Sequence, residues 1–170
     1  MLRGYISCSA DGYVADTDGG VGFLDPFQDV AFGHDAFFAG IDTVVMGRHS
    51  YDQIIGFDVP WPYAAKTGYV VTSSPLGDPP ADVTRWSDSL ESFAGAMRDH
   101  QVWVVGGARL QAGFISLGLL SRLELFIIPV LLGAGIPLYP AGTAQALRLT
   151  DTEIFDKGIV KLDYQLANGV

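Results

Sequence analysis

The sequence predicts a three-layer α/β/α protein, in which helices cover both faces of a mainly parallel central sheet that ends in antiparallel C-terminal strands. Three features predict it. Four short runs, at residues 2–7, 43–46, 68–72 and 101–105, are apolar almost throughout, as strands covered on both faces must be. Helix-like segments separate these runs. The chain then closes with two strand-like runs around a turn of hairpin chemistry.

Residues 2–7 open the sheet. The second run, Thr43-Val44-Val45-Met46, passes into Gly47-Arg48-His49-Ser50-Tyr51. There a glycine allows a tight exit from the strand, and the hydroxyl of Ser50 can cap the helix that follows or donate to an oxygen. The third run leads into residues 73–81, a loop marked by Pro75, Pro79 and Pro80 and too short to separate domains. Ser87 or Asp88 is expected to cap the next helix, where Leu90, Phe93, Ala94 and Met97 form one apolar face. A further helix is expected over 108–117, with Leu110 and Phe114 inward. A long strand follows over 122–130, then strands over 147–155 and 158–166. The turn between these last two, Phe155-Asp156-Lys157-Gly158, places glycine where a positive φ is needed. With no internal repeat or linker, residues 1–170 are read as a single domain.

Composition narrows the function. Apolar residues make up 49% of the 170 and charged residues only 17%, which suits a compact core. A net charge of −9 argues against general nucleic-acid binding. It also means that any anion site must be locally basic, and Arg48 and Arg109 are the candidates. No apolar stretch reaches the ~18 residues that would suggest a membrane span. The longest, 123–136, is broken by Glu124, Pro129 and two glycines. The N-terminus reads as a strand without the long apolar core of a signal peptide. The single cysteine, Cys8, rules out an intramolecular disulfide, so a cytoplasmic setting is expected, with Cys8 a small buried hydrophobe. No His/Cys cluster suggests a metal or an attached zinc deaminase.

Ligands of open α/β sheets bind at the carboxyl ends of the strands. Three such ends suit an anion: Gly47-Arg48-His49-Ser50, Thr72-Ser73-Ser74 and Gly106-Gly107-Ala108-Arg109. Glycines let a pyrophosphate approach the backbone and a helix N-terminus, and arginine adds a bidentate grip. Together the three ends point to a phosphate-rich nucleotide. Neither a Walker A loop nor the usual Rossmann fingerprint is present.

These motifs, in this order, resemble the dihydrofolate reductase superfamily over essentially the whole chain. The matching segments are Ser9-Ala10-Asp11-Gly12-Tyr13-Val14-Ala15, Val45-Met46-Gly47-Arg48-His49-Ser50-Tyr51, Val70-Val71-Thr72-Ser73-Ser74 and Val104-Val105-Gly106-Gly107-Ala108-Arg109-Leu110. A fifth segment, Ile128-Pro129-Val130-Leu131-Leu132-Gly133-Ala134-Gly135-Ile136-Pro137-Leu138, resembles the branch containing the reductase domain of the riboflavin-biosynthesis deaminase–reductase. The resemblance implies a dihydrofolate reductase-like fold and NADPH as cofactor. It implies that Arg48 and His49 hold the phosphates of the adenosine half, Arg48 favouring the 2′-phosphate, and that Ser50 contacts the pyrophosphate. It also implies that Thr72, Ser73 and Ser74 line the adenosine, that Gly106, Gly107, Ala108, Arg109 and Leu110 wrap the pyrophosphate, and that Ser7 and Val14 lie near the nicotinamide.

Two departures bear on the substrate. The acid that dihydrofolate reductases carry on the first helix falls, counting back from Gly47, at Ala31. The acidic pair common in the riboflavin branch is replaced by Ser121-Arg122. The expected activity is hydride transfer from NADPH to a small flat heterocycle, pyrimidine- or pteridine-like, of the 5-amino-6-(5-phosphoribosylamino)uracil reductase type. A dihydrofolate reductase with a displaced acid and a non-catalytic NADPH-binding module are the alternatives. Asp11 is the candidate proton donor, or else the Asp of an Asp-Gly turn. Asp29, His34 and Asp35, on the presumed first helix, are candidate substrate contacts. So is Trp61, which with Tyr63 could stack on a heterocycle or pack its Pro-rich loop down. A homodimer is expected through the apolar stretch 126–138, as relatives of the riboflavin branch imply.

Overall fold

The computed structural model describes residues 1–57 and 59–166. In chain order the elements are β1 (Leu2–Ser9), β2 (Tyr13–Ala15), α1 (His34–Ala39), β3 (Thr43–Gly47), α2 (Arg48–Ile55), β4 (Thr67–Val71), β5 (Val83–Trp86), α3 (Leu90–Ala96), β6 (Val102–Gly106), α4 (Ala108–Ser116), β7 (Arg122–Ile128), β8 (Ile136–Pro137), β9 (Leu147–Ile154) and β10 (Val160–Leu166). Eight strands form one sheet in the order β5-β4-β3-β6-β1-β7-β10-β9. The strands from β5 to β7 run parallel, and β10 is antiparallel to both β7 and β9. β2 and β8 pair separately as a small antiparallel ribbon.

The apolar runs become the covered strands. Thr43, Val44, Val45 and Met46 of β3 are all buried, because helices shield both of its faces. One core gathers Tyr5, Phe37, Tyr51, Tyr63, Trp103 and Phe126 beneath α1 and α2. The other gathers Cys8, Val45, Phe93, Val104, Phe114 and Leu123 beneath α3 and α4. The expected three layers are therefore present. Burial pushes the Cys8 thiol up to about 11, with Asp11 adding to the rise, which keeps it protonated and inert. Among the described residues no helix is long and apolar enough to cross a membrane.

Several boundaries differ from the sequence expectation for physical reasons. Ser89, rather than Ser87 or Asp88, caps α3, its hydroxyl accepting from the Ser92 N–H at 3.1 Å. β7 stops at Ile128 because Pro129 has no N–H to continue a ladder. β5 was not anticipated; it is an edge strand whose exposed Thr84 and Arg85 break the apolar run. The first helix begins only at His34, after Gly33 at φ 78°, and a 3-10 segment, Gly22–Phe27, precedes it. Asp29 therefore lies between the two and not on a helix.

The stretch 126–138 is not the exposed apolar surface it was expected to be. Phe126 and Ile128 are fully enclosed in β7, and Leu131 is its exposed large hydrophobic residue. Exposed apolar side chains gather instead on the edge strand β9, at Leu147, Leu149 and Ile154. The hairpin joining β9 to β10 is closed by Phe155 N–H donating to Ile159 O at 2.8 Å, with Lys157 and Gly158 both at positive φ.

Phe114 is completely buried between α4 and the sheet. Replacing Phe114 by alanine is expected to destabilise the fold by about 3–5 kcal/mol, because the cavity left behind cannot collapse. Urea unfolding followed by circular dichroism measures this.

Candidate active site

β3 and β6 are parallel neighbours, and each ends in a glycine that leads into a helix. Gly47 is the N-cap of α2 and Gly107 that of α4. Neither helix start has a side-chain cap or an acidic residue in its first turn. The N–H groups of both first turns are thus left without side-chain acceptors. The two starts touch: a Cβ on Gly47 would lie 3.8 Å from Gly107 N, and one on Gly107 3.3 Å from Ser50 Oγ. Gly106 has φ 150°, which a side chain would oppose, and the Gly106–Gly107 peptide is cis. From this point β3 continues through α2 to β4 on one side, while β6 continues through α4 to β7 on the other. Connections diverging from adjacent strands open a crevice between them.

A cavity of about 940 Å³ occupies that crevice. Its basic end is lined by Gly47, Arg48, His49 and Ser50 and by Gly106, Gly107, Ala108, Arg109 and Leu110, and Ser7 and Val14 line it as well. These residues, singled out in the sequence, all line the one cavity. Arg48 is fixed: its Nε donates to both oxygens of Asp52 at 2.7 and 2.8 Å, and its Nη1 donates to Pro75 O at 2.8 Å. Arg109 and His49 have no hydrogen-bond or ion-pair partner among the described residues, so their donors are free for a ligand.

Thr72, Ser73 and Ser74 do not line the cavity. The Ser74 N–H donates to Thr72 Oγ1 at 3.2 Å in a local turn, and Arg85 Nη1 donates to Ser73 O at 3.0 Å. The third strand end therefore reaches the site only through the Pro75 carbonyl on Arg48. Two of the three anticipated anion-binding ends converge.

The anticipated substrate-side polar residues are not brought together. Asp11 lies outside the lining. Ser9 Oγ donates to it at 2.6 Å, and the Leu132 and Gly133 N–H groups at 3.1 and 2.8 Å. These bonds, the serine hydroxyl foremost, hold its carboxyl below the usual carboxylate range. An ionised carboxylate engaged by three donors is not a proton donor at neutral pH; it ties the turn after β1 to the loop before β8. Asp29 is exposed and bonded to Lys157 Nζ. His34 is half-exposed with its ring stacked on Phe38, and Asp35 points into solvent. Trp61 packs behind the lining, edge-on to Tyr51 and Tyr63. None of these four reaches the cavity.

Aromatic and aliphatic residues form the other end instead: Tyr5, Leu24, Ile54, Phe57, Tyr63 and Trp103. Tyr63 shares its loop with Trp61, whereas Tyr5 and Trp103 were not singled out. The period-2 alternation of a strand is the signal that points to them. Tyr5 lies on the side of β1 that bears Ser7, and Trp103 on the side of β6 that bears Val105.

A mainly parallel sheet with antiparallel C-terminal strands, and a glycine-bordered crevice at its switch point, define an α/β architecture with a candidate ligand site at its strand ends. The family model of the RibD C-terminal domain matches residues 4–161, and the chain belongs to that family. "Uncharacterized protein YwjB" of Bacillus subtilis (strain 168) is 32% identical over 160 residues, covering 91% of this chain and 92% of that protein. A solved structure from Shewanella sp. PV-4, named for riboflavin biosynthesis, superposes with a TM-score of 0.87 at 23% identity, covering 98% of both chains. The diaminohydroxyphosphoribosylaminopyrimidine deaminase/5-amino-6-(5-phosphoribosylamino)uracil reductase of Thermotoga maritima superposes with a TM-score of 0.72 at 14% identity. That match covers 98% of this chain and 56% of the Thermotoga chain.

The Asp11 clamp has a pH signature. Its carboxyl is depressed in the fold, so the contribution is complete above the ordinary value of 3.8 and is lost as pH falls below it. Amide exchange at Leu132 and Gly133, corrected for intrinsic rates, is expected to accelerate below that pH. Asp11→Asn is expected to show the same acceleration at neutral pH.

Proposed function

We propose that this protein is an NADPH-dependent reductase of a small flat heterocycle, pyrimidine- or pteridine-like as in the 5-amino-6-(5-phosphoribosylamino)uracil reductase-type branch of the family. The observation that carries the reading is the meeting of two uncapped helix N-termini beside Arg48, His49 and Arg109, at one end of a cavity whose other end is aromatic. Helix starts and arginines favour a pyrophosphate and a further phosphate. In this reading Gly106 to Leu110 and Ser50 take the pyrophosphate, and Arg48 and His49 the phosphates of the adenosine half, Arg48 favouring the 2′-phosphate. Ser7 and Val14 lie beside the nicotinamide.

NADPH, when bound, supplies the hydride; the chain's own part is to bind, orient and exclude water. Among the described residues the lining contains no Asp or Glu, which speaks against folate reduction through an acid on the first helix. The same absence keeps a non-catalytic NADPH-binding module as the second reading. We place the protein in a reducing cytoplasm, where Cys8 remains a thiol.

Titration of NADPH and NADH into the purified protein, followed by nicotinamide fluorescence, tests the cofactor. Arg48→Ala is expected to weaken NADPH binding by about 1.5–3 kcal/mol and to leave NADH nearly unaffected. Failure of both nucleotides to bind refutes the reading. NADPH oxidation on adding pyrimidines or pterins separates a reductase from a binding module.

We further propose that two copies pair through β9. This strand is exposed along its whole length, and Leu147, Leu149 and Ile154 extend an apolar face begun by Leu162 and Tyr164 of β10. Light scattering behind size exclusion is expected to give a dimer mass. Leu149→Arg is expected to give a folded monomer, and a monomeric wild type removes the proposal.

A further inference from the structure

We infer that the aromatic end of the cavity takes a flat, uncharged ring without a phosphate, held at a carbonyl or imine group by the hydroxyl of Tyr63. The inference rests on the reading that the basic end holds NADPH, and departs from it in denying the ring the phosphoribosyl group of the 5-amino-6-(5-phosphoribosylamino)uracil type.

The charges on the lining are segregated. Among the described residues its basic members, Arg48, His49 and Arg109, all lie in the first turns of α2 and α4. Beyond them, Tyr5, Leu24, Ile54, Phe57, Tyr63 and Trp103 offer no ionic partner. Other cations beneath the same face of the sheet are already engaged. Lys66 Nζ donates to Phe38 O at 2.9 Å and to Ile41 O at 2.6 Å, over the Phe38 ring. Lys157 is bonded to Asp29 and to the Pro26 carbonyl, and Arg3 to Glu124. An anionic substituent at this end would lose its hydration without gaining a counter-charge, in a protein of net charge −9.

Two polar groups at this end are used within the fold. Trp103 Nε1 donates to Tyr5 O at 3.3 Å, and the Tyr5 hydroxyl donates to Phe32 O at 3.3 Å. The Tyr63 hydroxyl has no hydrogen-bond partner among the described residues, although Tyr63 is a buried residue of the lining. Its ring is held edge-on by Trp61 at 5.1 Å and Trp103 at 5.5 Å, which fixes where the hydroxyl can reach. Burial pushes this phenol up to about 12, so it stays neutral and able to donate. A neutral donor on a fixed aromatic frame suits a neutral acceptor on a flat ring. It does not suit a phosphate.

Two coumarins that differ in charge test this: 7-methoxy-4-methylcoumarin, neutral with one lactone carbonyl, and 4-methylumbelliferyl phosphate. Each is titrated by tryptophan fluorescence into protein saturated with NADP⁺, which occupies the basic end without reacting. The neutral coumarin is expected to bind at least about tenfold more tightly than the phosphate. Tyr63→Phe is expected to weaken the neutral coumarin about five- to tenfold while leaving NADP⁺ affinity and the melting temperature unchanged. Equal or tighter binding of the phosphate, or binding of neither compound, overturns the uncharged-ring assignment. An unchanged affinity in Tyr63→Phe overturns the role of that hydroxyl. NADP⁺ binding, measured first, separates the two levels: its absence removes the proposed function and this inference together, whereas saturable NADP⁺ binding without preference for the neutral coumarin removes the inference alone.

Discussion

The approach of Gly47 to the Gly106–Gly107 backbone sets the geometry on which the rest of the site depends. β3 and β6 are adjacent and parallel, but their connections leave in opposite directions and cross to opposite faces. α2 then buries its Tyr51 in the core that holds Trp103, while α4 buries its Phe114 in the core that holds Val104. Only the first turns of the two helices stay close, astride the sheet. Each helix start carries roughly half a positive charge, and here the two add at one point. A side chain at Gly107 would crowd Ser50, and Gly106 at φ 150° leaves little choice of residue.

That concentration of positive potential stands against a surface of the opposite sign. With a net charge of −9, the protein repels an anion at long range, so any anion held here must be held by short-range contacts. The arginines divide the work. Arg48, joined to Asp52 and Pro75, braces α2 against the loop after β4 and presents a guanidinium of fixed orientation. Arg109 has no partner among the described residues, so meeting a ligand would cost it no bond seen there. Across the cavity the logic reverses, because Trp103 and Tyr5 use their polar atoms on each other and on Phe32 and leave apolar surface.

What the sequence displayed of this arrangement follows from how each part is stabilised. β3, β4 and β6 are apolar nearly throughout and β1 and β7 mostly so, because the sheet is covered on both faces, and their ends can be located to within a residue or two. β5 and the β2–β8 ribbon were hidden because edge or ribbon strands owe their pairing to neighbours far away in the chain. Two of the three glycine or hydroxyl strand ends converge as their local chemistry suggested; Thr72 to Ser74 do not, because their turn bonds to itself. Asp11 was the sharpest ambiguity. Its function as a clamp depends on Leu132 and Gly133, whose amides no local pattern connects to it. Trp103 read as one more apolar residue of a buried strand, since composition does not reveal that one face of β6 borders a cavity.

The two ends of the cavity are therefore built from different kinds of structure. The basic end is made by strand termini and first helical turns, whose backbone positions are fixed by ladders on both sides. The opposite wall comes mainly from connections: the 3-10 segment with Leu24, the loop bearing Tyr63, and the β2–β8 ribbon with Val14 and Pro137. These are held by a few specific contacts. The Asp11 clamp is one, and the seating of Gly135 against the Ala15 carbonyl, where a Cβ would collide, is another. A wall of this kind can change its side chains without disturbing the sheet, whereas the glycine junction cannot. The same fold can thus keep its glycine-bordered end and exchange the chemistry facing it, which is why, in the proposed reading, the aromatic lining bears on the substrate and not on the cofactor.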